Sequence, residues 1–204
     1  MRCLIVVAVA VLGVAGQTAS MRASEPNPQA LVVTAHDVSS VYGPGFTRFL
    51  HEVVSNEQIG TLSATPALTV KVYQGEGRIT GYATAFRRVT KRPAVYYVYC
   101  EVDVYQAAAG PIWRLNYARQ HPDTIQAGFT VHPVHEGTTG DGGYYASFAG
   151  RPAGSAAAKI YGASLSFRRG RYLATITVSS PAPLDSRSVY RIGDLVDGRL
   201  RHAG

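Results

Sequence analysis

The sequence predicts an α+β domain, an antiparallel β-sheet built from hairpins with helices packed on it. Three observations carry this. Residues 95–105 (VYYVYCEVDVY) alternate as a strand does, with Val98, Cys100, Val102 and Val104 on one face. Residues 159–168 and 171–179 flank Arg169-Gly170 and read as a hairpin whose apolar side chains fall on one face. After Pro183, residues Val189, Ile192, Val196 and Leu200 recur at helical spacing. Strands outnumber helices and are joined by hairpins, which sets the chain apart from alternating α/β folds.

Composition narrows the class further. The chain has 204 residues, is 46% hydrophobic and only 16% charged, and carries a net charge of +7. That excludes a disordered chain and a coiled coil. Two cysteines cannot staple a chain of this length, so it is not a disulfide scaffold.

The N-terminus reads as an export signal. Met1-Arg2 is a short positive start, residues 3–16 (CLIVVAVAVLGVAG) are apolar or small, and Gln17-Thr18-Ala19-Ser20 supplies small residues for cleavage. Residues 1–20 are therefore expected to be a signal peptide and 21–30 a flexible lead-in, with one domain over 31–204. No cysteine sits at the exit, so no lipid anchor is expected. No transmembrane segment is expected once the leader is removed. Cys3 leaves with it. Cys100 stays, and its strand context predicts a small buried hydrophobe and not a reactive thiol.

The remaining elements follow in order. Residues 46–55 (FTRFLHEVVS) suggest a helix with Phe49, Leu50, Val53 and Val54 inward. Leu68, Val70 and Val72 alternate, which leaves strand and helix end both open. Residues 78–88 and 95–105 form a second hairpin, its connection broken by Pro93. Residues 106–120 read as a helix with Ala108, Ile112 and Leu115 on one face and Pro111 in the first turn or at a break. Residues 129–135 and 144–148 are short strands around the glycine-rich EGTTGDGG. In the hairpin after Lys159, an Arg169-Gly170 turn would pair Phe167 with Tyr172 and Leu165 with Ala174. Asp185 or Ser186 caps the last helix, which runs to about Arg201; Arg199 and Arg201 suit its C-terminal dipole, while Gly193 and Gly198 weaken it.

No catalytic constellation is present in the sequence. There is no G-x-S-x-G elbow, no phosphate loop and no calcium loop. Gly75-Glu76-Gly77 lacks the third glycine of a dinucleotide fingerprint. His36-Asp37 reads as a turn or a helix cap. His132-Pro133-Val134-His135-Glu136 has the residue types of a zinc site, but Pro133 and a strand-like setting oppose the helical geometry such a motif needs. A metal there would need a third ligand, His121 or Asp141. The main expectation is no metal and no cofactor.

Charge is the stronger signal. Arg78, Arg87, Arg88, Lys91 and Arg92 lie in one acid-free stretch; Arg151, Lys159, Arg168, Arg169 and Arg171 lie in another. Arg87, Arg88, Lys91, Arg92, Arg168, Arg169 and Arg171 fall at or near the two hairpin tips. Were the tips to point the same way, they would form one basic patch for an anionic envelope component or the carboxylates of a partner protein. A solvated basic edge that blocks sheet-to-sheet association fits the same residues. Nucleic acid is not expected as a partner of an exported chain.

Several strings resemble exported bacterial proteins with a PsbP-like α+β fold, a group that includes the extracytoplasmic sensor-like domain of mycobacterial serine/threonine kinases and related envelope lipoproteins. They are Thr34-Ala35-His36-Asp37-Val38 followed by Gly45-Phe46, then Gly77-Arg78-Ile79-Thr80-Gly81-Tyr82, Gly140-Asp141, and Phe167-Arg168-Arg169-Gly170-Arg171-Tyr172 with the closing helix. The lipobox cysteine and the paired cysteines of the kinase domains are missing, so those disulfides do not carry over. The resemblance implies a sheet packed against helices and a binding or accessory role without catalytic residues. The expected function is a non-catalytic, exported binding or accessory module of the cell envelope, contacting an anionic or amphiphilic ligand or partner. A metal-dependent hydrolase using His132 and His135, or a structural and assembly protein with a tyrosine-rich interface, are the alternatives.

Overall fold

The structure, a computed structural model, describes residues 27–61, 63–88, 95–126, 128–132, 134–151 and 159–203. The expected signal peptide lies outside the described residues, as do Lys91 and Arg92. Within the expected lead-in, Pro28–Ala30 form a 3-10 turn beside the sheet, with Pro28 buried.

The fold is α+β, as the hairpins and the closing helix imply. An antiparallel sheet contains β1 (Phe46–Val54), β2 (Arg78–Arg88), β3 (Tyr97–Tyr105), β4 (Thr130–Val131), β5 (His135–Gly137), β6 (Gly143–Gly150), β7 (Ile160–Arg169) and β8 (Tyr172–Ser180). Its spatial order is β1-β2-β3-β8-β7-β6-β4, with β5 also paired to β6. Helices α1 (Ala35–Tyr42) and α5 (Ser186–Ala203) cover one face; α2 (Asn56–Thr61), α3 (Pro66–Gly75) and α4 (Ala109–Gln120) lie on the other.

The α1/α5 face holds the main core. Val98, Cys100, Val102 and Val104 of β3 are fully buried there, with Leu165, Phe167 and Ile176 beside them and Val189, Ile192, Val196 and Leu200 of α5 opposite. Alternation on the strands and the stripe on the helix thus meet on one surface. Asp185 caps α5 by accepting the Arg187 N–H at 3.0 Å. A capping box starts α1: Thr34 Oγ1 accepts the Asp37 N–H, and Asp37 Oδ2 accepts the Thr34 N–H. A smaller core on the far face gathers Tyr105, Leu115, Ile125, Tyr144, Ala146 and Leu173.

Three expectations change and one open reading closes. Residues 46–54 are a strand and not a helix. Phe46, Leu50 and Val54 are its half-buried positions, four apart. A spacing of four suits a helix face and is also a multiple of the strand period, so periodicity alone did not separate them; pairing with β2 did, through a bulge between Arg48 and Leu50. Leu68, Val70 and Val72, left open between strand and helix, belong to α3. The strand expected over 129–135 is two short pieces, β4 and β5; Pro133, between them in sequence, lies outside the described residues. The β7–β8 turn is Gly170-Arg171, with Arg169 opposite Tyr172 and Phe167 opposite Ala174. Gly170 has φ 54°, the first central position where a II′ turn favours glycine. The register moves by two, so every side chain keeps its expected face.

Candidate functional site

The two basic hairpin ends lie at opposite ends of the sheet. β3 runs beside β8 with Tyr97 opposite Ser179 and Val104 opposite Tyr172. The β2–β3 end is therefore near residue 97 and the β7–β8 turn near residue 104, roughly 23 Å apart at the rise of a strand. Among the described residues no single patch joins them.

Most of the described arginines are already committed. Arg88 donates to the carbonyls of Tyr42 and, at 2.9 Å, Gly43, and lies 4.3 Å over the Phe46 ring, tying the end of α1 to β2. Arg169 is bidentate to Asp197, at 2.9 and 2.7 Å, and also bonds Asp141. Arg168 lies 3.5 Å from Asp141, whose other duty is to accept the Gly170 N–H at 2.8 Å. Arg201 shares Asp197 from the next turn of α5. Burial works against the Asp197 charge, but Arg169 and Arg201 outweigh it and hold the carboxyl below its usual range. Arg87 and Arg171 have no carboxylate partner among the described residues. Arg87 lies 5.4 Å over Phe49, and Phe49 meets Tyr97 at 6.0 Å; Arg171 lies 5.8 Å over Tyr172.

A groove of about 360 Å³ opens between the β6–β7 corner of the sheet and the Pro183-Leu184 approach to α5. Tyr145, Ser147 and Ala149 alternate along β6 and share a face with Tyr161 of β7. Phe148, Pro183 and Leu184 add apolar wall, and His132 and Lys159 bring nitrogen to the rim. Lys159 Nζ stands 5.0 Å over the Tyr161 ring. Tyr145 is held by stacking on Tyr190 of α5, 5.5 Å between centroids. Among the described residues the lining contains no carboxylate. Sequence reading placed Lys159 among the basic residues but did not see the groove. Its lining comes from four separate segments, at 132, 145–149, 159–162 and 183–184; the one local signal was Lys159 and Tyr161, two apart at the start of a strand.

The far face of the sheet carries a buried ion network. Arg78 donates to Asp103 at 2.9 and 2.6 Å, to Asn56 Oδ1 at 2.8 Å and to the Val54 carbonyl at 2.9 Å, with Glu101 3.4 Å away. Burial, then the charge of Asp103, pushes the Glu101 carboxyl well above the usual range despite Arg78. The Tyr99 hydroxyl donates to it. One layer away, Arg114 Nε is 2.6 Å from Glu76 Oε2, and its guanidinium lies 3.8 Å over the Tyr73 ring. An arginine at that distance ordinarily lowers a carboxyl; burial wins here and raises Glu76 to about 7. The network links β1, β2, β3, α2, α3 and α4, which is structural work.

The two histidines sit on different short segments of the sheet edge. The His132 backbone N–H donates to the Ser147 carbonyl at 2.9 Å, and His135 on β5 is opposite Tyr145. Among the described residues no three His, Cys, Asp or Glu side chains converge as a metal would require. Cys100 is fully buried, and burial pushes its thiol up to about 12, so little thiolate is present.

No family model matches the chain, and no curated protein matches its sequence. Among solved structures, the extracellular domain of PknH from Mycobacterium tuberculosis aligns with a TM-score of 0.63 at 10% identity, over 89% of this chain and 98% of that one. The fold is similar to that of a kinase extracellular domain. At this identity the likeness is one of fold alone. It agrees with the kinase sensor-domain arm of the resemblance and says nothing of the PsbP-like arm. No helix among the described residues is long and apolar enough to cross a membrane.

Proposed function

We propose that the chain is an exported, non-catalytic binding module of the cell envelope whose groove beside Tyr145 and Tyr161 takes an amphiphilic ligand with an anionic group. The carrying observation is the groove itself. Its volume of about 360 Å³ falls within the range of small-molecule sites. Its aromatic and aliphatic walls suit an apolar body, and Lys159 and His132 suit an anion at the rim. The fold it shares with an extracellular domain and the export-type leader support the setting. The hairpin arginines keep a narrower proposed role. Arg87, with Phe49 and Tyr97, offers an anionic partner a cation on an aromatic surface, and Lys91 and Arg92 follow it in sequence. Arg171 would act separately at the opposite end, whereas Arg88, Arg168 and Arg169 are held by internal partners.

The test is a titration with anilinonaphthalene sulfonate, an aromatic body carrying one anion. Saturable binding is expected, weakened roughly tenfold by Lys159→Glu and by Tyr161→Ala, the scale of one charged contact or one ring. Unchanged affinity in both variants overturns the groove as the site.

A further inference from the structure

We propose that the outward face of α4 seats the protein on an anionic phospholipid surface. This inference is independent of the groove. The exposed residues of α4 are Ala109, Ile112, Trp113, Asn116, Arg119 and Gln120. Ile112 and Trp113, two of the largest apolar side chains in the helix, are 41% and 38% exposed. Their exposure follows from how α4 packs. Leu115 enters the far-face core, Gly110 presses on Tyr105, and Arg114 turns inward to Glu76. With that side committed to the sheet, Ile112 and Trp113 are left facing water.

The exposed aromatics are ordered. Trp113 stacks on Tyr117 one turn later, with centroids 5.1 Å apart and planes 13° from parallel, and Tyr117 meets His121 at 4.4 Å. This ridge needs little further ordering to enter an interface. Tryptophan and tyrosine favour the headgroup boundary because one part of each ring system is apolar and the other hydrogen-bonds.

Charge complementarity selects the occupant. No Asp or Glu occurs from residue 104 through 122, and the whole chain carries +7. Among the exposed residues of α4 are an isoleucine, a tryptophan and one arginine, Arg119, which also donates to the Gly143 carbonyl, and no carboxylate; exposed Asp123 follows beyond the helix end. The protein's net charge draws it toward an anionic headgroup layer. One short helix gives reversible binding, not insertion.

Trp113 is the only tryptophan of the chain, so its emission reports contact directly. The purified chain without its leader is mixed with phosphatidylglycerol–phosphatidylcholine vesicles and with pure phosphatidylcholine vesicles, with co-sedimentation read in parallel. A blue shift and pelleting with the anionic vesicles, both reduced by salt, are expected. Ile112→Glu should weaken pelleting roughly tenfold, the scale of about one large apolar side chain exchanged for a charge. The double variant Asn116→Asp with Gln120→Glu should do the same through charge alone. All these positions are exposed, and thermal melts confirm folding. The proposal is overturned if anionic vesicles neither shift Trp113 nor pellet the protein. It is also overturned if both α4 variants pellet like the native chain, or if Arg87→Glu with Arg171→Glu abolishes binding while the α4 variants retain it.

Discussion

Arg78 shows what one side chain does when a sheet closes around it. Its side chain is fully buried, and its three nitrogens reach Asp103, Asn56 and the Val54 carbonyl, with Glu101 beside them. Removing it strands two carboxylates away from water. Arg78→Ala is expected to lower unfolding stability by about 3–5 kcal/mol, read as a shift in the urea midpoint. Arg78→Lys should recover little, since one ammonium cannot reproduce the fork that spans these acceptors. The sequence counted Arg78 among the basic residues of an acid-free stretch. Its counter-charges sit on the neighbouring strand, 23 and 25 residues away.

Helix α5 shows how equal residues differ by place. Gly193 and Gly198 look alike as weak points of a helix. A Cβ at Gly193 would stand 2.5 Å from Leu165 Cδ2 in the core, whereas one at Gly198 meets nothing within 4 Å. Gly198→Ala should therefore raise stability by about 0.5–1 kcal/mol through helix propensity. Gly193→Val should cost about 1–3 kcal/mol through overpacking against β7. Thermal denaturation of both variants beside the native chain checks the contrast. The same element scale explains β1. Its four-residue spacing fits two periodicities, and only the pairing with β2 selects one.

At the scale of the whole molecule, ionised groups set a pH optimum. Asp37 loses to burial but gains more from the Thr34 backbone bond and from Arg199, at 2.6 Å, so its carboxyl lies below the usual value, as does that of Asp197. Their stabilisation is present above the unfolded value of 3.8 and is lost as pH falls through the lower folded values. Glu76 behaves oppositely. Raised to about 7 from 4.5, it binds its proton more tightly in the folded state. That contribution is complete below 4.5 and is lost as pH rises through 7; Glu101 acts in the same direction. The melting temperature should accordingly be higher near about pH 5 than near about pH 8. Glu76→Gln should flatten the decline on the alkaline side, which differential scanning calorimetry across that range measures.

The sequence by itself determined the fold class, both main hairpins, a helix within 106–120 and the apolar stripe of α5. These rest on local periodicity, and periodicity is a property of neighbours along the chain. Tertiary structure decided the rest. It placed the two arginine-rich ends at opposite ends of the sheet and brought Asp141 and Asp197 to Arg169 from 28 residues away on either side. It also assembled the groove from β6, β7 and the approach to α5. Whether a charge is free, and where a cavity opens, depends on which distant segments fold against each other, and no local pattern carries that information.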